Sequence, residues 1–322
     1  MNVLHLITSS PGFFEQQIQV LESRGVDCTI LNVPGEYRAD SPRTVGDYLR
    51  YYPRVLAAVR DGDFDLVHAH YGLVGPFALA QPSRPVVLTL WGTDLMSEMA
   101  WLRGISRVGA KLVDTTILPS KAMADTLGTE FELVPFGVDT ELFRPIPQSE
   151  ARERLGWESD GLVALFPYDP ARPEKNYALA EHVVEATGID IELRAVTGRP
   201  YEEMPLLMNA SDLLLITSNR ESGPMTVKEA AACNLPVVST DVGFVRDTIG
   251  DVPNCAVCTS KAELITGIEH VLGEGHRTNS RHTVDGLGLE EMGQRLMSVY
   301  RDAAEPASSG VHTALDPETH GI

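Results

Sequence analysis

The amino-acid sequence predicts an α/β protein built from two doubly wound, Rossmann-like domains. Short apolar runs alternate with amphipathic helical stretches over residues 1–136, and the same alternation returns over 161–303. Continuous apolar strands separated by helices indicate parallel sheets that are covered on both faces. The chain has 322 residues, which suits two domains rather than one. Because doubly wound sheets bind ligands at the carboxyl ends of their strands, two such domains predict an interdomain cleft.

The predicted elements are short in both halves. In the first half the strands are VLHLIT, CTILNV, LVHAHY, VVLTLW, TTILPS and ELVPF, and the helices are FEQQIQVLESRG, TVGDYLRYYPRVLAAVR and MSEMAWLRGISRVGAKLV. In the second half the strands are GLVALFPY, IELRAV, DLLLIT, LPVVST and NCAVC, and the helices are YALAEHVVEAT, EEMPLLMNA, PMTVKEAAACN and KAELITGIEHVLG, followed by LGLEEMGQRLMSVYRDA. Their order, strand then helix, is that of βαβ units.

A turn-rich segment divides the two halves. FGVDTELFRPIPQ, near 137–150, breaks the alternation and predicts a linker. We therefore expect an N-terminal Rossmann-like domain over 1–145 and a C-terminal Rossmann-like domain over 146–288. A closing helix over 289–304 follows. Residues 305–322 show no periodicity and predict a disordered tail.

The charge distribution indicates which classes of binding partner the protein can have. The net charge is -19, of which residues 1–145 carry -5 and residues 146–322 carry -14. Nucleic acid is excluded as a partner, because binding phosphates along a strand requires an excess of Lys and Arg. No apolar run reaches the roughly 18 residues of a membrane helix, and the first residues lack the basic region of a signal peptide. We expect a cytoplasmic protein.

Two helical stretches of the N-terminal half, 43–60 and 99–112, are rich in basic residues. They carry Arg43, Arg50, Arg54, Arg60, Arg103, Arg107 and Lys111 among aromatic and aliphatic side chains. One interpretation is ordinary packing with a solvated basic face. The alternative is peripheral contact with an anionic bilayer at the inner membrane face, or with an acceptor phosphate.

The segment ESGPMTVKEAAACNLPVVSTDVG, residues 221–243, places a loop and a helix start directly after the strand DLLLIT. Pro224 suits the first helical position, where a missing N–H costs nothing. The free N–H groups of Gly223, Met225 and Thr226 then form a start that binds an anion such as a phosphate.

Two carboxylates, Glu221 and Glu229, lie at either side of this helix start. A carboxylate accepts two hydrogen bonds at once, which suits a pair of sugar hydroxyls. One acid could hold a sugar and the other a ribose, with a diphosphate between them. The alternative is that Glu221 complements the helix dipole and Glu229 is a solvated helix residue.

The same segment, together with MPLLMNASDLLLITS before it, resembles the E-x7-E region of retaining GT-B glycosyltransferases of family 4, in the branch that acts in cell-surface polysaccharide biosynthesis. Shorter similarities are GFFE at 12–15, DLVHAHYG at 65–72, GTDL at 92–95, FGVD at 136–139 and PEKN at 173–176. The resemblance extends from residue 1 to about residue 303. It implies a hexosyltransferase that moves a sugar from a nucleotide diphosphate-sugar donor to a hydroxyl of a glycan or glycolipid, with retention. Residues 1–145 would then form the acceptor-side domain and residues 146–288 the nucleotide-sugar donor domain.

The resemblance also implies roles for single residues. Glu221 would contact the donor sugar, and Glu229 would hold the ribose of the nucleotide. The backbone from Gly223 through Pro224 and Met225 to Thr226 would contact the sugar and the diphosphate. Lys175 would neutralise the leaving diphosphate, and Gly12 would let the backbone approach the ligand closely. A fixed cation and a helix start can stabilise such a leaving group without a metal. No cofactor is expected, and the nucleotide sugar is a substrate.

The sequence departs from the family pattern at two places. Many members carry an Arg about six residues before the Lys, where this chain has Asp169, so Arg172 is the substitute candidate for donor binding. Many relatives carry an acceptor-side His where this chain has Trp91. His70, which the resemblance places near the cleft, and Asp94 then remain as candidates for acceptor contact, although Asp94 could be only a turn residue.

Two possible metal sites are rejected. His68 and His70 face one side of a strand, but no third ligand is near them in the sequence. The D-x-D of Asp61 and Asp63 precedes a strand, where Asp and Gly form ordinary turns. Two other functions stay open, namely a GT-B nucleotide-sugar epimerase and a non-catalytic nucleotide-sugar-binding protein.

Overall fold

The computed structural model describes residues 1–10, 12–35, 43–97, 99–157, 161–221 and 223–305. Within these residues the chain forms two parallel sheets, each flanked by helices, and the predicted fold class is confirmed. The predicted boundary between residues 145 and 146 lies between the two sheets. The predicted tail lies outside the described residues except for Glu305.

The N-terminal sheet has the strand order β2-β1-β3-β4-β5-β6. Its strands are β1 (Asn2–Ile7), β2 (Asp27–Asn32), β3 (Leu66–His70), β4 (Val86–Thr89), β5 (Thr115–Leu118) and β6 (Glu132–Leu133). Its helices are α1 (Gly12–Ser23), α2 (Val45–Asp61), α3 (Gly75–Leu79), α4 (Thr93–Met96), α5 (Ala100–Leu112) and α6 (Ala124–Leu127). The order reverses at β1, which is the switch point where doubly wound sheets bind ligands.

The C-terminal sheet has the order β11-β10-β9-β7-β8. Its strands are β7 (Leu162–Phe166), β8 (Ile191–Ala195), β9 (Leu213–Ile216), β10 (Val237–Thr240) and β11 (Ala256–Cys258). Its helices are α7 (Gln148–Leu155), α8 (Tyr177–Ala186), α9 (Met204–Ala210), α10 (Met225–Ala232), α11 (Val245–Ile249) and α12 (Lys261–Glu274), and α13 (Leu289–Ala304) follows them.

The strands are unbroken apolar runs in the sequence because they are buried on both faces. All four residues of β4 and of β9 are buried, because helices cover both faces of each sheet. On one face of the N-terminal sheet, Tyr51 and Val55 of α2, Ala78 of α3 and Ala110 of α5 share a single core. These three helices therefore cover the same face of the sheet.

The chain crosses between the domains twice, and the two crossings run next to each other. Val138 donates its N–H to the carbonyl of Leu287 over 3.0 Å, and Val138 also bridges Gly288. Gly137 has no room for a side chain, because a Cβ there would lie 2.8 Å from the Cα of Leu289. The second crossing delivers α13 to the N-terminal domain, where Tyr300 is completely buried.

The short helices escape sequence prediction. Helices α3, α4, α6 and α11 have only four or five residues, too few for a helical period to be seen. Helix α7 begins at Gln148, inside the predicted linker. Among the described residues no helix combines the length and apolarity that crossing a bilayer requires.

Candidate functional site

Two pockets meet between the domains. The interdomain pocket, of about 490 Å³, is lined on the N-terminal side by Tyr71, Gly92, Thr93, Met96, Ser97, Met99 and Leu102. The C-terminal pocket, of about 520 Å³, is lined by Phe13 of α1 and otherwise by the C-terminal domain, including the segment Gly223–Thr226. Arg172, Lys175 and Glu221 line both pockets. Three of the predicted site residues therefore stand where the pockets join.

Lys175 and Glu221 form an ion pair at this junction. Their side chains are only 6% and 12% exposed, and the Lys175 ammonium donates to a Glu221 carboxylate oxygen. The Ser218 hydroxyl donates to the same oxygen over 2.8 Å. The Lys175 Nζ also lies 3.8 Å from the centroid of the Tyr168 ring, a cation–π contact. Burial lowers the pKa of Lys175, an effect that the neighbouring Glu221 carboxylate opposes.

Backbone contacts hold the two loops of the pair together. Asn176, with a left-handed φ of 55°, lies between the turn Pro173–Lys175 and the first residue of α8. The Thr217 hydroxyl, at the end of β9, lies 3.1 Å from the Lys175 carbonyl, to which it donates. The Asn219 N–H donates to the Glu174 carbonyl over 2.9 Å. Both loops follow adjacent strands, β7 and β9, so the parallel sheet brings them to one edge.

The helix start after Glu221 differs slightly from the prediction. Pro224 is the residue before α10 rather than its first residue, and Met225 begins the helix. Both line the C-terminal pocket with Gly223 and Thr226. Gly223 is required by packing, because a Cβ there would lie 2.1 Å from the Phe244 ring. Ser222 lies outside the described residues.

Glu229 is held inside the C-terminal pocket rather than on a solvated helix face. It is 4% exposed, and its Oε1 accepts a hydrogen bond of 2.8 Å from the Tyr201 hydroxyl. Burial raises the pKa of the Glu229 carboxyl to about 7. One turn earlier, the Thr226 hydroxyl lies 3.2 Å from the hydroxyl of Tyr168. The two predicted acids therefore face one pocket from either side of the helix start.

Arg172 reaches both pockets, but a carboxylate already engages it. Its Nε and Nη2 donate to the Oε1 of Glu174 over 2.8 and 2.6 Å. Arg220 also lines the interdomain pocket. With Lys175, these side chains concentrate cations at the pocket junction.

The structure corrects the prediction that Asp94 contacts an acceptor. Asp94 is completely buried, and its carboxylate accepts three backbone N–H groups. They come from Gly72 at 3.0 Å, Trp91 at 3.1 Å and Gly92 at 2.8 Å. Asp94 therefore ties the loops after β3 and β4 to each other, and both loops line the interdomain pocket.

The prediction for His70 also needs correction. His70 is completely buried, and its Nε2 lies 3.0 Å from the Nδ1 of His5. The ring nitrogens of His68 lie 2.6 Å from the Tyr300 hydroxyl and 2.7 Å from Thr89 Oγ1. A ring with no exposed surface cannot touch a substrate, so His70 acts at most through its neighbours. The sequence missed His5, the third imidazole of this cluster, because it comes from the adjacent strand β1.

Trp91 packs near the rings of His70 and Phe13. Its ring centroid lies 6.3 Å from that of His70 and 5.0 Å from that of Phe13. Its Nε1 is buried without a hydrogen-bond partner among the described residues. Gly12 is exposed at the first position of α1, and the space where its Cβ would stand is open. Phe13, beside it, lines the C-terminal pocket.

Sequence reasoning missed two tyrosines of the C-terminal pocket, Tyr168 and Tyr201. Tyr168 ends the predicted strand GLVALFPY, and the carboxyl end of a parallel strand is a position where ligands bind. Tyr201 belongs to a short turn with no motif. Nothing local to it indicates that its hydroxyl bonds Glu229.

Two family models match different parts of the chain. The model for Glycosyltransferase Family 4 matches residues 4–142, and the model for Glycosyl transferases group 1 matches residues 174–283. The second match includes Lys175, Glu221 and Glu229. The two models together cover most of both domains.

Similar proteins and structures agree with these matches. The chain is 27% identical to D-inositol 3-phosphate glycosyltransferase 1 of Catenulispora acidiphila, over 82% of this chain and 77% of that protein. It is also 27% identical to a D-inositol 3-phosphate glycosyltransferase of Salinispora arenicola, over 79% and 74%.

Solved structures share the fold at lower identity. A sucrose-phosphate synthase from Thermosynechococcus elongatus superimposes with a TM-score of 0.77 at 17% identity, over 94% of this chain and 99% of that one. Anabaena HepE, solved in complex with UDP and glucose, gives a TM-score of 0.76 at 15% identity, over 94% and 100%. With family models matched in both domains, the chain belongs to the family 4-like glycosyltransferases of the GT-B fold.

Proposed function

We propose that this enzyme transfers a hexosyl group from a nucleotide diphosphate-sugar donor to a hydroxyl of a glycan or lipid-linked acceptor, with retention and without a metal ion. The observation that carries the proposal is that two pockets join at Lys175 and Glu221. A transferase needs one binding site for each substrate, and the two sites must adjoin where the sugar passes from donor to acceptor. The donor fits the C-terminal pocket and the acceptor fits the interdomain pocket.

The donor is proposed to lie with its ribose toward Glu229 and its diphosphate at the start of α10. The N–H groups of Met225 and Thr226 are free of intrahelical partners, as at any helix start, and suit phosphate oxygens. Anabaena HepE, which has a similar fold, was solved in complex with UDP, and this supports a nucleotide as part of the donor. Glu221 would hold the sugar, since its carboxylate stands at the entry to the second pocket.

Retention is proposed to follow because the acceptor oxygen attacks the anomeric carbon on the same face from which the leaving group departs. The bond from the anomeric carbon to the diphosphate oxygen breaks, the acceptor oxygen bonds to that carbon, and the acceptor proton passes to the leaving phosphate. Lys175 stabilises the charge that develops on the diphosphate, and Arg172 adds to the positive field. These side chains are the reason that a metal ion is not required in this proposal.

No further carboxylate competes for the role of a covalent nucleophile among the described lining residues. Besides Glu221, the two pockets contain Glu174, which is bound to Arg172, and Glu229, which is bound to Tyr201. Glu174 is engaged by Arg172, and Glu229 is assigned to the ribose in this proposal. This arrangement favours front-side attack over a covalent intermediate.

A melting-temperature panel of nucleotide sugars tests the donor site. A ligand at about 100 times its dissociation constant should stabilise the protein by about 2.7 kcal/mol, which raises the melting temperature measurably. No shift with any nucleotide sugar would contradict the proposal.

Product analysis with the donor that binds then tests the reaction. Release of the nucleotide diphosphate with a retained anomeric configuration in the product supports transfer. An isomerised donor with no acceptor would identify an epimerase, and binding without turnover would identify a non-catalytic protein.

A further inference from the structure

Tyr168 stands just after β7, between the two groups that are proposed to hold the donor diphosphate. Its ring centroid lies 3.8 Å from the Lys175 Nζ, and its hydroxyl lies 3.2 Å from the Thr226 hydroxyl in the first turn of α10. All three residues line the C-terminal pocket. One side chain therefore contacts both the cation and the helix start where a phosphate would bind.

Packing fixes the position of the Tyr168 ring. The ring packs against the apolar cores on both faces of the C-terminal sheet. It also meets the Phe166 ring edge to face, with 5.7 Å between the centroids. A side chain held in this way keeps its ring and its hydroxyl in place before a ligand arrives.

The cations of the C-terminal pocket are each paired with an acid. Among the described lining residues, the pairs are Arg172 with Glu174, Lys175 with Glu221 and Arg199 with Glu203. A diphosphate therefore enters a site whose positive charges are already partly neutralised. Hydroxyl donors then contribute to its binding, because a hydrogen bond to an ionised oxygen is stronger than one between neutral groups.

Three hydroxyls belong to the described lining of this pocket, and one of them is engaged by an acid. Tyr201 donates its O–H to Glu229 over 2.8 Å. Tyr168 and Thr226 bond each other, which uses one of their two O–H groups and leaves the other for a further acceptor, such as a phosphate oxygen. Burial and the nearby Glu221 carboxylate raise the pKa of the Tyr168 hydroxyl well above its usual value, so this group stays protonated and remains a donor.

We propose that Tyr168 has two roles in the C-terminal pocket. Its hydroxyl, with that of Thr226, binds a diphosphate oxygen of the donor, and its ring positions the Lys175 ammonium against the same diphosphate. This assignment rests on the proposed function, because it takes a nucleoside diphosphate as the group bound in this pocket.

A binding titration tests the hydroxyl. UDP, GDP, ADP, CDP and dTDP are titrated into the full chain by calorimetry, and the nucleoside of the one that binds is then measured as its competitor. Tyr168→Phe keeps the ring and removes the hydroxyl, so it should bind the diphosphate about tenfold more weakly and the nucleoside equally well. Thr226→Val removes the other hydroxyl and should show the same selective loss. A general disturbance of the pocket would weaken both ligands alike.

Tyr177→Phe is the matched control. Tyr177 packs against the same Phe166 ring, with 5.0 Å between the centroids, but it lies on α8 and lines neither pocket. This variant should bind the diphosphate and the nucleoside as the wild type does. Melting temperatures show whether each variant is folded, and Thr226→Val tests the hydroxyl pair from α10 if Tyr168→Phe does not fold.

A double-mutant cycle tests the ring. Lys175→Met should weaken diphosphate binding about tenfold in the wild type and in Tyr168→Phe, because both keep the aromatic face that holds the ammonium. Tyr168→Leu has no aromatic face, so the ammonium is no longer held against the ligand. In that background Lys175→Met should weaken binding by about twofold or less.

Two results would overturn these roles of Tyr168. One is a nucleoside diphosphate that binds the wild type and Tyr168→Phe with equal affinity, which would leave the donor site in place without the hydroxyl. The other is an equal effect of Lys175→Met in the Tyr168→Leu and Tyr168→Phe backgrounds, which would mean that the ring does not position the cation. Failure of the wild type to bind any of the five diphosphates would contradict the donor site itself, and with it both the proposed function and the roles of Tyr168.

Discussion

The Lys175 ammonium donates to the Glu221 carboxylate where the interdomain pocket meets the C-terminal pocket. Both side chains are nearly inaccessible to solvent. The pair keeps two opposite charges in place before any substrate arrives. In the proposed reaction the cation turns to the leaving diphosphate and the anion to the sugar.

Removing either member should impair catalysis. Glu221→Ala or Lys175→Ala should lower kcat by about 10²-fold or more, a typical loss for one transition-state stabiliser. The rate of nucleotide diphosphate release measures this. Glu192→Gln breaks an exposed ion pair with Arg194 on β8 and serves as the control. Wild-type rates in both alanine variants would contradict the site assignment.

The same pair should show strong coupling in stability. Removing one partner of a buried ion pair leaves an uncompensated charge and costs about 3–5 kcal/mol. Lys175→Met and Glu221→Gln should each destabilise, and the double variant should lose less than the sum. Chemical denaturation of the four proteins gives the coupling free energy. Additive losses would mean that the two charges do not interact.

Glu229 should make stability depend on pH. Its folded pKa, about 7, lies above the ordinary value of 4.5, so the folded state resists ionisation. Between these values the unfolded chain loses this proton first, and stability falls as pH rises. Glu229→Gln should therefore gain stability relative to wild type from pH 5 to pH 7, at most about 1.4 kcal/mol per pKa unit. A difference independent of pH would contradict the raised pKa.

Gly223 should tolerate no side chain. A Cβ would meet the Phe244 ring at 2.1 Å, so Gly223→Ala must displace either the ring or the donor loop. We expect at least about tenfold weaker binding of the nucleotide sugar, since overpacking of this kind costs about 1–3 kcal/mol. Phe244→Leu in the same chain should recover part of the affinity. Titration calorimetry measures both, and unchanged affinity in Gly223→Ala would show that the loop adapts freely.

Tyr300 should fasten α13 to the N-terminal domain. Its hydroxyl lies 2.6 Å from the Nδ1 of the buried His68. Tyr300→Phe leaves that nitrogen without its partner and should cost about 1–3 kcal/mol of stability. Arg301→Gln, next to it and exposed, is the matched control. Equal denaturation midpoints for both variants would show that the hydrogen bond does not contribute.

The sequence alone determined the fold class and much of the donor side. Apolar strands that alternate with helices specify parallel sheets, because both faces must be covered. Local motifs specify the Glu221–Glu229 segment and the Lys175 loop, because each is a strand end followed by a helix or turn. The short helices carry too few residues for such a signal.

Only the tertiary structure decided how distant side chains combine. His5, His68 and Tyr300 meet because β1 and β3 pair and α13 returns across the domain boundary. The Asp94 carboxylate accepts hydrogen bonds from backbone N–H groups of two loops. The sequence around Asp94 does not indicate the contribution of the more distant loop. Burial, which raises the pKa of Glu229, depends on all the residues packed around that side chain. Local sequence encodes elements and their ends, whereas the neighbours that desolvate or pair a side chain come from elsewhere in the chain.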